Sequence, residues 1–199
     1  MFLAVIGDIL SNACSLQTVL DHLEEEGIRE VVHTGNICLA PEGASACVKL
    51  LRERAVTAVQ GRLDRALVSR KAKAKRLPEA AELEKSYALL DSSAIEFLNG
   101  LPRKRSFIRE GVEWLLCHGA VNSPSETLTK DTSFLKFQRQ REACTARIII
   151  SGGSTEPFSV DADGTLFASA GTLLSREGQI RYTLIDTEVS PFEARVVTL

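Results

Sequence analysis

Five short stretches of this 199-residue chain carry residues whose chemistry suits a metal ion or a phosphate group. Each stretch follows an apolar run and contains glycine; the pairs are Gly7–Asp8, Gly35–Asn36, Gly61–Arg62, His118–Gly119 and Gly152–Gly153. A carboxylate, a side-chain amide and an imidazole can ligate divalent cations, whereas a guanidinium binds phosphate and cannot ligate a metal. The residue types therefore indicate either a metal site with few ligands or an anion site without metal.

A pattern of alternating strands and helices positions the first three of these stretches. The predicted elements, strand first, occupy residues 2–8, 11–27, 30–36, 41–55 and 56–64. Such alternation is typical of a largely parallel sheet. Because ligand sites in α/β proteins gather at the carboxyl ends of strands, we expect Asp8, Asn36 and Arg62 to face one cavity.

The remainder of the chain predicts fewer helices and more antiparallel strands. Residues 69–85 are charged and are expected to be exposed, while residues 91–102 and 132–144 predict helices. The strands predicted there are 106–110, 112–119, 146–151, two within 158–171, 179–187 and 192–199. We find no repeat and no linker, so the sequence predicts a single domain over residues 1–199.

Composition excludes several classes of function. Net charge is −2, apolar residues make up 44% and charged residues 25%, as in soluble globular proteins, so a membrane partner is not expected and nucleic acid is disfavoured. The apolar start contains Asp8 and has no basic leader, which predicts a strand and not a signal peptide. The five cysteines are odd in number and widely spaced, which is typical of reduced thiols in a cytoplasmic protein.

Taken in order, five motifs resemble those of the calcineurin-like metallophosphoesterases, in particular their compact prokaryotic phosphodiesterase branch. The motifs are GDILSNACSLQTVLDHL, HTGNICLAPEGASACVKLL, QGRLDRAL, CHGAVNSPSETL and GGSTEPF. Their framework is retained at Gly7, Gly35, Gly61, Asp64, Gly119, Gly152 and Pro157. The resemblance covers almost the whole chain and implies an α/β (α+β) fold, a four-layer αββα sandwich of two mixed β-sheets flanked by helices.

The resemblance also implies a site that such enzymes fill with two divalent metals such as Mn, Ni, Fe or Zn. Of the family's seven ligand positions, this chain retains Asp8 and His118. The other five positions carry Leu10, Asn36, Arg62, Gly153 and Thr155. Leu63 stands where the family has a histidine that helps to stabilise the phosphoryl transition state. Because Arg62 adds a fixed positive charge, we expect no metal cofactor, with Asp8 and His118 as the remaining candidate ligands.

Three functions stay open on the sequence. The favoured one is a pseudoenzyme that acts as an interaction or regulatory module, with a protein or a second copy of the chain as partner. The second is a metal-independent phosphate- or nucleotide-binding protein that uses Arg62, His118 and backbone N–H groups of the glycine-rich loops. The third is a residual metal-dependent phosphoesterase with a reduced site made from Asp8, His118 and Asn36.

One contact is predicted within the cavity. We expect Asp8 and Arg62 to form a salt bridge in roughly the space of a lost metal, above an apolar floor of Leu10 and Leu63. Structural roles are the alternatives, since Asp8 could cap a loop or helix and His118 could be a buried hydrogen-bonded residue. Residues 62–76 hold seven basic residues and one acidic residue, which predicts a solvated face or, second, an anion or partner patch.

Overall fold

The computed structural model of the chain describes residues 2–69 and 76–199. The strands are β1 (Phe2–Ile6), β2 (Val31–His33), β3 (Thr57–Ala58), β4 (Lys104–Arg109), β5 (Val112–Cys117), β6 (Ile148–Ser151), β7 (Phe158–Ala162), β8 (Thr165–Ser169), β9 (Arg181–Asp186) and β10 (Glu193–Thr198). The helices are α1 (Ala13–Glu25), α2 (Ala44–Glu53), α3 (Arg62–Ser69), α4 (Ala80–Leu89), α5 (Ser92–Gly100) and α6 (Phe134–Glu142).

The strands form two mixed five-stranded sheets. The first has the order β10-β9-β1-β2-β3, in which β1, β2 and β3 are parallel and β9 and β10 run antiparallel. The second has the order β4-β5-β6-β8-β7, with a parallel centre and antiparallel edges. The strand pairs β4–β5, β7–β8 and β9–β10 confirm the antiparallel pairs predicted for the second half of the chain.

Side chains of β1 alternate between two buried clusters, as the twofold repeat of a strand requires. Ala4 and Ile6 pack against helices α1 to α5, and Leu3 and Val5 share a cluster with Trp114 of the second sheet. On the outer face of the second sheet, β6 packs against α6 through a third cluster. The layers are therefore helices, sheet, sheet and helix, which confirms the predicted αββα sandwich.

Local sequence signals explain the first helix. The Asn12 side chain accepts a hydrogen bond from the Ser15 N–H at 3.0 Å and so caps the amino end of α1. The buried stripe of this helix has the predicted spacing and consists of Ser15, Leu16, Val19, Leu20 and Leu23. Gly27 follows the helix with a φ of 71°, a conformation that favours glycine. α5 and α6 likewise lie within the helices predicted at 91–102 and 132–144.

One prediction about the middle of the chain was wrong, and one helix there was not predicted. The third strand was predicted over residues 56–64, but β3 holds only Thr57–Ala58 and α3 begins at Arg62. Of the described residues in the charged stretch 69–85, only Leu83 is buried, as expected for an exposed segment, but the stretch also contains most of helix α4, which was not predicted. Residues 70–75, which hold much of the predicted basic segment, lie outside the described residues.

None of the helices formed by residues 2–69 and 76–199 has the length and apolar character needed to cross a membrane.

Candidate functional site

The loops after four strands and the start of α3 meet at one edge of the sandwich. Their side chains and backbone form what we call the strand-end site, which consists of Asp8, Asn36, Leu63, His118 and Gly153. Asn36 Nδ2 donates to Asp8 Oδ2 at 2.7 Å, and the Gly153 N–H donates to Asp8 Oδ1 at 3.2 Å. Three of the five glycine-containing stretches are thus joined directly through the carboxylate of Asp8.

The amide of Asn36 has one possible orientation. The Leu63 N–H lies 2.8 Å from Asn36 Oδ1, and a backbone N–H can only donate. Oxygen must therefore face Leu63, which directs the NH₂ group at Asp8. The residue has a φ of 60°, a left-handed conformation that asparagine adopts more readily than most residues.

A second carboxylate, Asp64, anchors the loop after β2 to the start of α3. It is fully buried and accepts four backbone hydrogen bonds, from Asn36 (2.8 Å), Gly61 (2.9 Å), Ile37 (2.8 Å) and Cys38 (3.3 Å). Burial raises the pKa of this carboxyl, and the N–H donors counteract that rise. Glycine is required at position 61, because a Cβ there would lie 2.1 Å from the Asn36 nitrogen.

Asp8 is an electrostatically perturbed acid. Burial raises the pKa of its carboxyl to about 6, and the hydrogen bonds from Asn36 and Gly153 and the charge of Arg62 oppose that rise. With the pKa this close to neutrality, the folded state holds a proton on Asp8 more readily than the unfolded chain does.

The variant Asp8→Asn should expose this linkage. A folded pKa of about 6 against an ordinary value of 3.8 means that the stability from Asp8 is fully present below 3.8 and is lost as pH rises through 6. Relative to the variant, the wild-type protein should lose up to about 3 kcal/mol of unfolding free energy between acidic and neutral pH. Urea denaturation across that range measures the difference, and a difference that is independent of pH would contradict the prediction.

The predicted salt bridge between Asp8 and Arg62 is wrong. Arg62 Nη2 instead donates to Glu79 Oε1 at 2.8 Å, and Glu79 lies immediately before α4. Asp8 already accepts from an amide NH₂ and a backbone N–H. Leu63 is buried in the core cluster that β1 shares with helices α1 to α5, and Leu10 packs against the same cluster.

His118 is held by the loop after β2. Its Nδ1 lies 2.7 Å from the Thr34 carbonyl oxygen. Burial lowers the pKa of His118, which favours the neutral imidazole. A Cβ on Gly153 would lie 3.5 Å from His118 Nε2, so this nitrogen faces the glycine-rich turn. Thr155 in the same turn is exposed, and its carbonyl accepts from Thr172 at 3.1 Å.

Sequence reasoning missed two contributors to the geometry. Asp64 was recognised only as part of the motif framework, although its place three residues after Gly61 marks the first turn of a helix. Glu79 had no signal in the sequence, because its role depends on where α4 begins. Among the residues that the structure describes, no three His, Cys, Asp or Glu side chains are close enough to hold a metal ion.

Comparison with known proteins identifies the family. The model of the calcineurin-like phosphoesterase superfamily domain matches residues 1–190. A hypothetical protein from Pyrococcus horikoshii matches with a TM-score of 0.85 at 18% identity, over 100% of this chain and 87% of its own. A metallophosphoesterase from Sphaerobacter thermophilus matches with a TM-score of 0.79 at 18% identity, over 100% and 88%.

An archaeal phosphodiesterase matches with a TM-score of 0.61 at 13% identity, over 100% of both chains. A search of curated proteins found no match. At these identities the structural similarities establish the fold alone. The family model, however, covers nearly all of the chain, and the fold agrees with it. The chain therefore belongs to the calcineurin-like phosphoesterase superfamily.

Proposed function

We propose that the chain is a non-catalytic member of this superfamily, a pseudoenzyme that serves as an interaction or regulatory module. The proposal rests mainly on the orientation of the Asn36 side-chain amide. Its NH₂ group lies 2.7 Å from Asp8 Oδ2, and its oxygen accepts the Leu63 N–H at 2.8 Å. An N–H donor in that position competes with a cation for the lone pairs of the carboxylate.

The donor set does not fit the two divalent metals of the family. Two such ions bring four positive charges, and the strand-end site supplies one carboxylate, Asp8. Arg62 adds a positive charge that is close enough to lower the pKa of Asp8. The other carboxylate nearby, Asp64, accepts four backbone hydrogen bonds. The chemistry of these residues therefore supports a site that has given up its metals.

Metal analysis tests this proposal directly. Protein purified from cells grown with added manganese, nickel, iron and zinc should contain each metal well below one equivalent by mass spectrometry. It should hydrolyse neither p-nitrophenyl phosphate nor its bis-ester above the background of an Asp8→Ala variant. Metal-dependent turnover that disappears in Asp8→Ala would overturn the proposal.

A residual mononuclear enzyme is the competing outcome of the same experiment. It would need Asp8, Asn36 and His118 as ligands. Asn36 Oδ1 is engaged by Leu63, so the oxygen that a cation would require has another partner. One stoichiometric transition metal would favour the enzyme over the pseudoenzyme.

The partner in this proposal is a protein or a second copy of the chain. Large apolar side chains are exposed on two outer elements, Ile108 on β4 and Phe134 and Leu135 on α6. All five cysteines are free, which fits the reducing cytoplasm, where we place the protein. Sedimentation velocity over a range of concentrations distinguishes self-association from binding to a different protein.

A further inference from the structure

A separate cavity of about 770 Å³ opens beside α3, outside the strand-end site. We call it the three-arginine cleft, after Arg62, Arg65 and Arg103, which line it. Its size falls within the range of about 300–1,000 Å³ that is usual for small-molecule sites. Volume alone identifies no ligand, so the class of ligand is inferred from the residues that line the cleft.

Positive charge dominates the lining. Among the described residues that form the wall of the cleft, none is acidic. Arg62 is partly neutralised by Glu79, whose Oε1 it contacts at 2.8 Å. Within residues 2–69 and 76–199, Arg65 and Arg103 form no ion pair with a carboxylate, so two guanidinium groups are left for a ligand.

The positive charges of the cleft also affect a residue of the strand-end site. Arg62 and Arg65 both lower the pKa of His118 through their charges. His118 Nδ1 contacts the Thr34 carbonyl and Arg62 contacts Glu79, so both side chains of the predicted anion site already have a partner within the protein. Arg65 and Arg103, by contrast, line the cleft.

The other residues that line the cleft include apolar side chains and a glutamine that is held in place by hydrogen bonds. Leu77 and Leu101 contribute an apolar wall, and Asn99 adds a polar group. Gln60 is held in place because its Nε2 donates to the Leu98 carbonyl at 2.9 Å and its backbone N–H donates to the Pro102 carbonyl at 2.7 Å. The cleft thus combines apolar surface with two guanidinium groups, those of Arg65 and Arg103, that form no ion pair within the described part of the chain.

We propose that the three-arginine cleft binds a small organic phosphate, with the phosphate on Arg65 and Arg103 and the apolar part of the ligand against Leu77 and Leu101. The planar fork of arginine matches phosphate oxygens with two parallel hydrogen bonds. The proposal does not depend on loss of catalysis, because the cleft lies outside the strand-end site and needs no metal.

Isothermal titration in the presence of EDTA tests the proposal with three probes. AMP should bind, ribose 5-phosphate should bind more weakly because it lacks the base, and adenosine should not bind measurably. AMP binding should weaken as salt is added, since an exposed charge interaction is screened. Binding of adenosine as tight as that of AMP, or no binding of AMP, would overturn the proposal.

Variants locate the site. The double variant Arg65→Ala/Arg103→Ala should weaken AMP binding about 10- to 100-fold, because it removes two charge-assisted contacts. The matched control is Arg29→Ala/Arg139→Ala, which removes two exposed arginines outside the cleft, one in the loop before β2 and one on α6, and changes the net charge equally. An equal loss in both variants would show non-specific attraction and contradict the cleft. Since both pairs are near the surface, we expect each double variant to fold. Thermal unfolding checks this before the titration.

Discussion

Replacing Asp64 by alanine should lower the unfolding free energy by about 4 kcal/mol or more, or prevent folding altogether. The change removes one buried carboxylate and leaves four backbone N–H groups without their acceptor. These groups belong to two segments, Asn36 to Cys38 and Gly61, which then lose the link that holds them together. Urea denaturation followed by circular dichroism measures the effect.

The matched control is Asp161→Ala on β7. Asp161 also accepts a backbone hydrogen bond, from Gly164 at 2.9 Å, but it is exposed, and water can replace it. Its loss should cost about 1 kcal/mol or less. Equal losses of unfolding free energy in the two variants would contradict the prediction, because they would mean that burial of Asp64 does not increase its contribution to stability. If Asp64→Ala does not fold, Asp64→Asn offers a milder test, because it keeps one acceptor oxygen.

The variant Asn36→Asp should be destabilised by about 2–4 kcal/mol at mildly alkaline pH. It places a carboxylate oxygen where the amide nitrogen lies 2.7 Å from Asp8 Oδ2, so two negative charges meet in a buried place. Two carboxyls at this distance share a proton, and the penalty should therefore shrink as pH falls and the pair takes up that proton; this should occur above the wild-type Asp8 pKa of about 6, because the variant loses the Asn36 donor and gains a negative charge. Added Mn²⁺ should restore stability in the variant and leave the wild-type protein unchanged.

Asn12→Asp is the control for this substitution. Asn12 uses only its oxygen, as acceptor for the Ser15 N–H, and aspartate caps a helix equally well. The control substitution should leave the unfolding free energy unchanged at every pH tested. A stable Asn36→Asp protein at alkaline pH would show that the amide NH₂ is not required opposite Asp8, and would remove the main support for a non-catalytic site.

The fold could be predicted from the sequence because its signals are local and repeated. Apolar residues with helical spacing, such as Leu16, Val19 and Leu23, define α1, and short apolar runs define the buried strands. The third strand was predicted too long because residues 61–64 look like a continuation of it. In the folded chain, Asp64 turns back to accept the Gly61 N–H, and this contact begins a helix instead.

The sequence predicted which residues gather at the strand-end site but not which contacts they form. Asp8 and Asn36 come into contact because both follow parallel strands of one sheet, whereas Arg62, expected beside them, lines the three-arginine cleft. The partner of Arg62 could not be predicted. Glu79 reaches it only because α4 begins beside α3, and the local pattern of residues 69–85 had indicated an exposed charged segment.

The hydrogen bonds among Asp8, Asn36 and Gly153 have a consequence for how the protein matures. Clustered metal ligands repel one another until ions arrive, so the final folding step of a metalloenzyme can wait for its cofactor. Here Asn36 and Gly153 both donate to Asp8, so this carboxylate is neutralised by N–H groups of the protein. On the proposal that the site binds no metal, a newly synthesised chain completes this corner of the fold without a cofactor, and its abundance should not follow the metal supply of the cell.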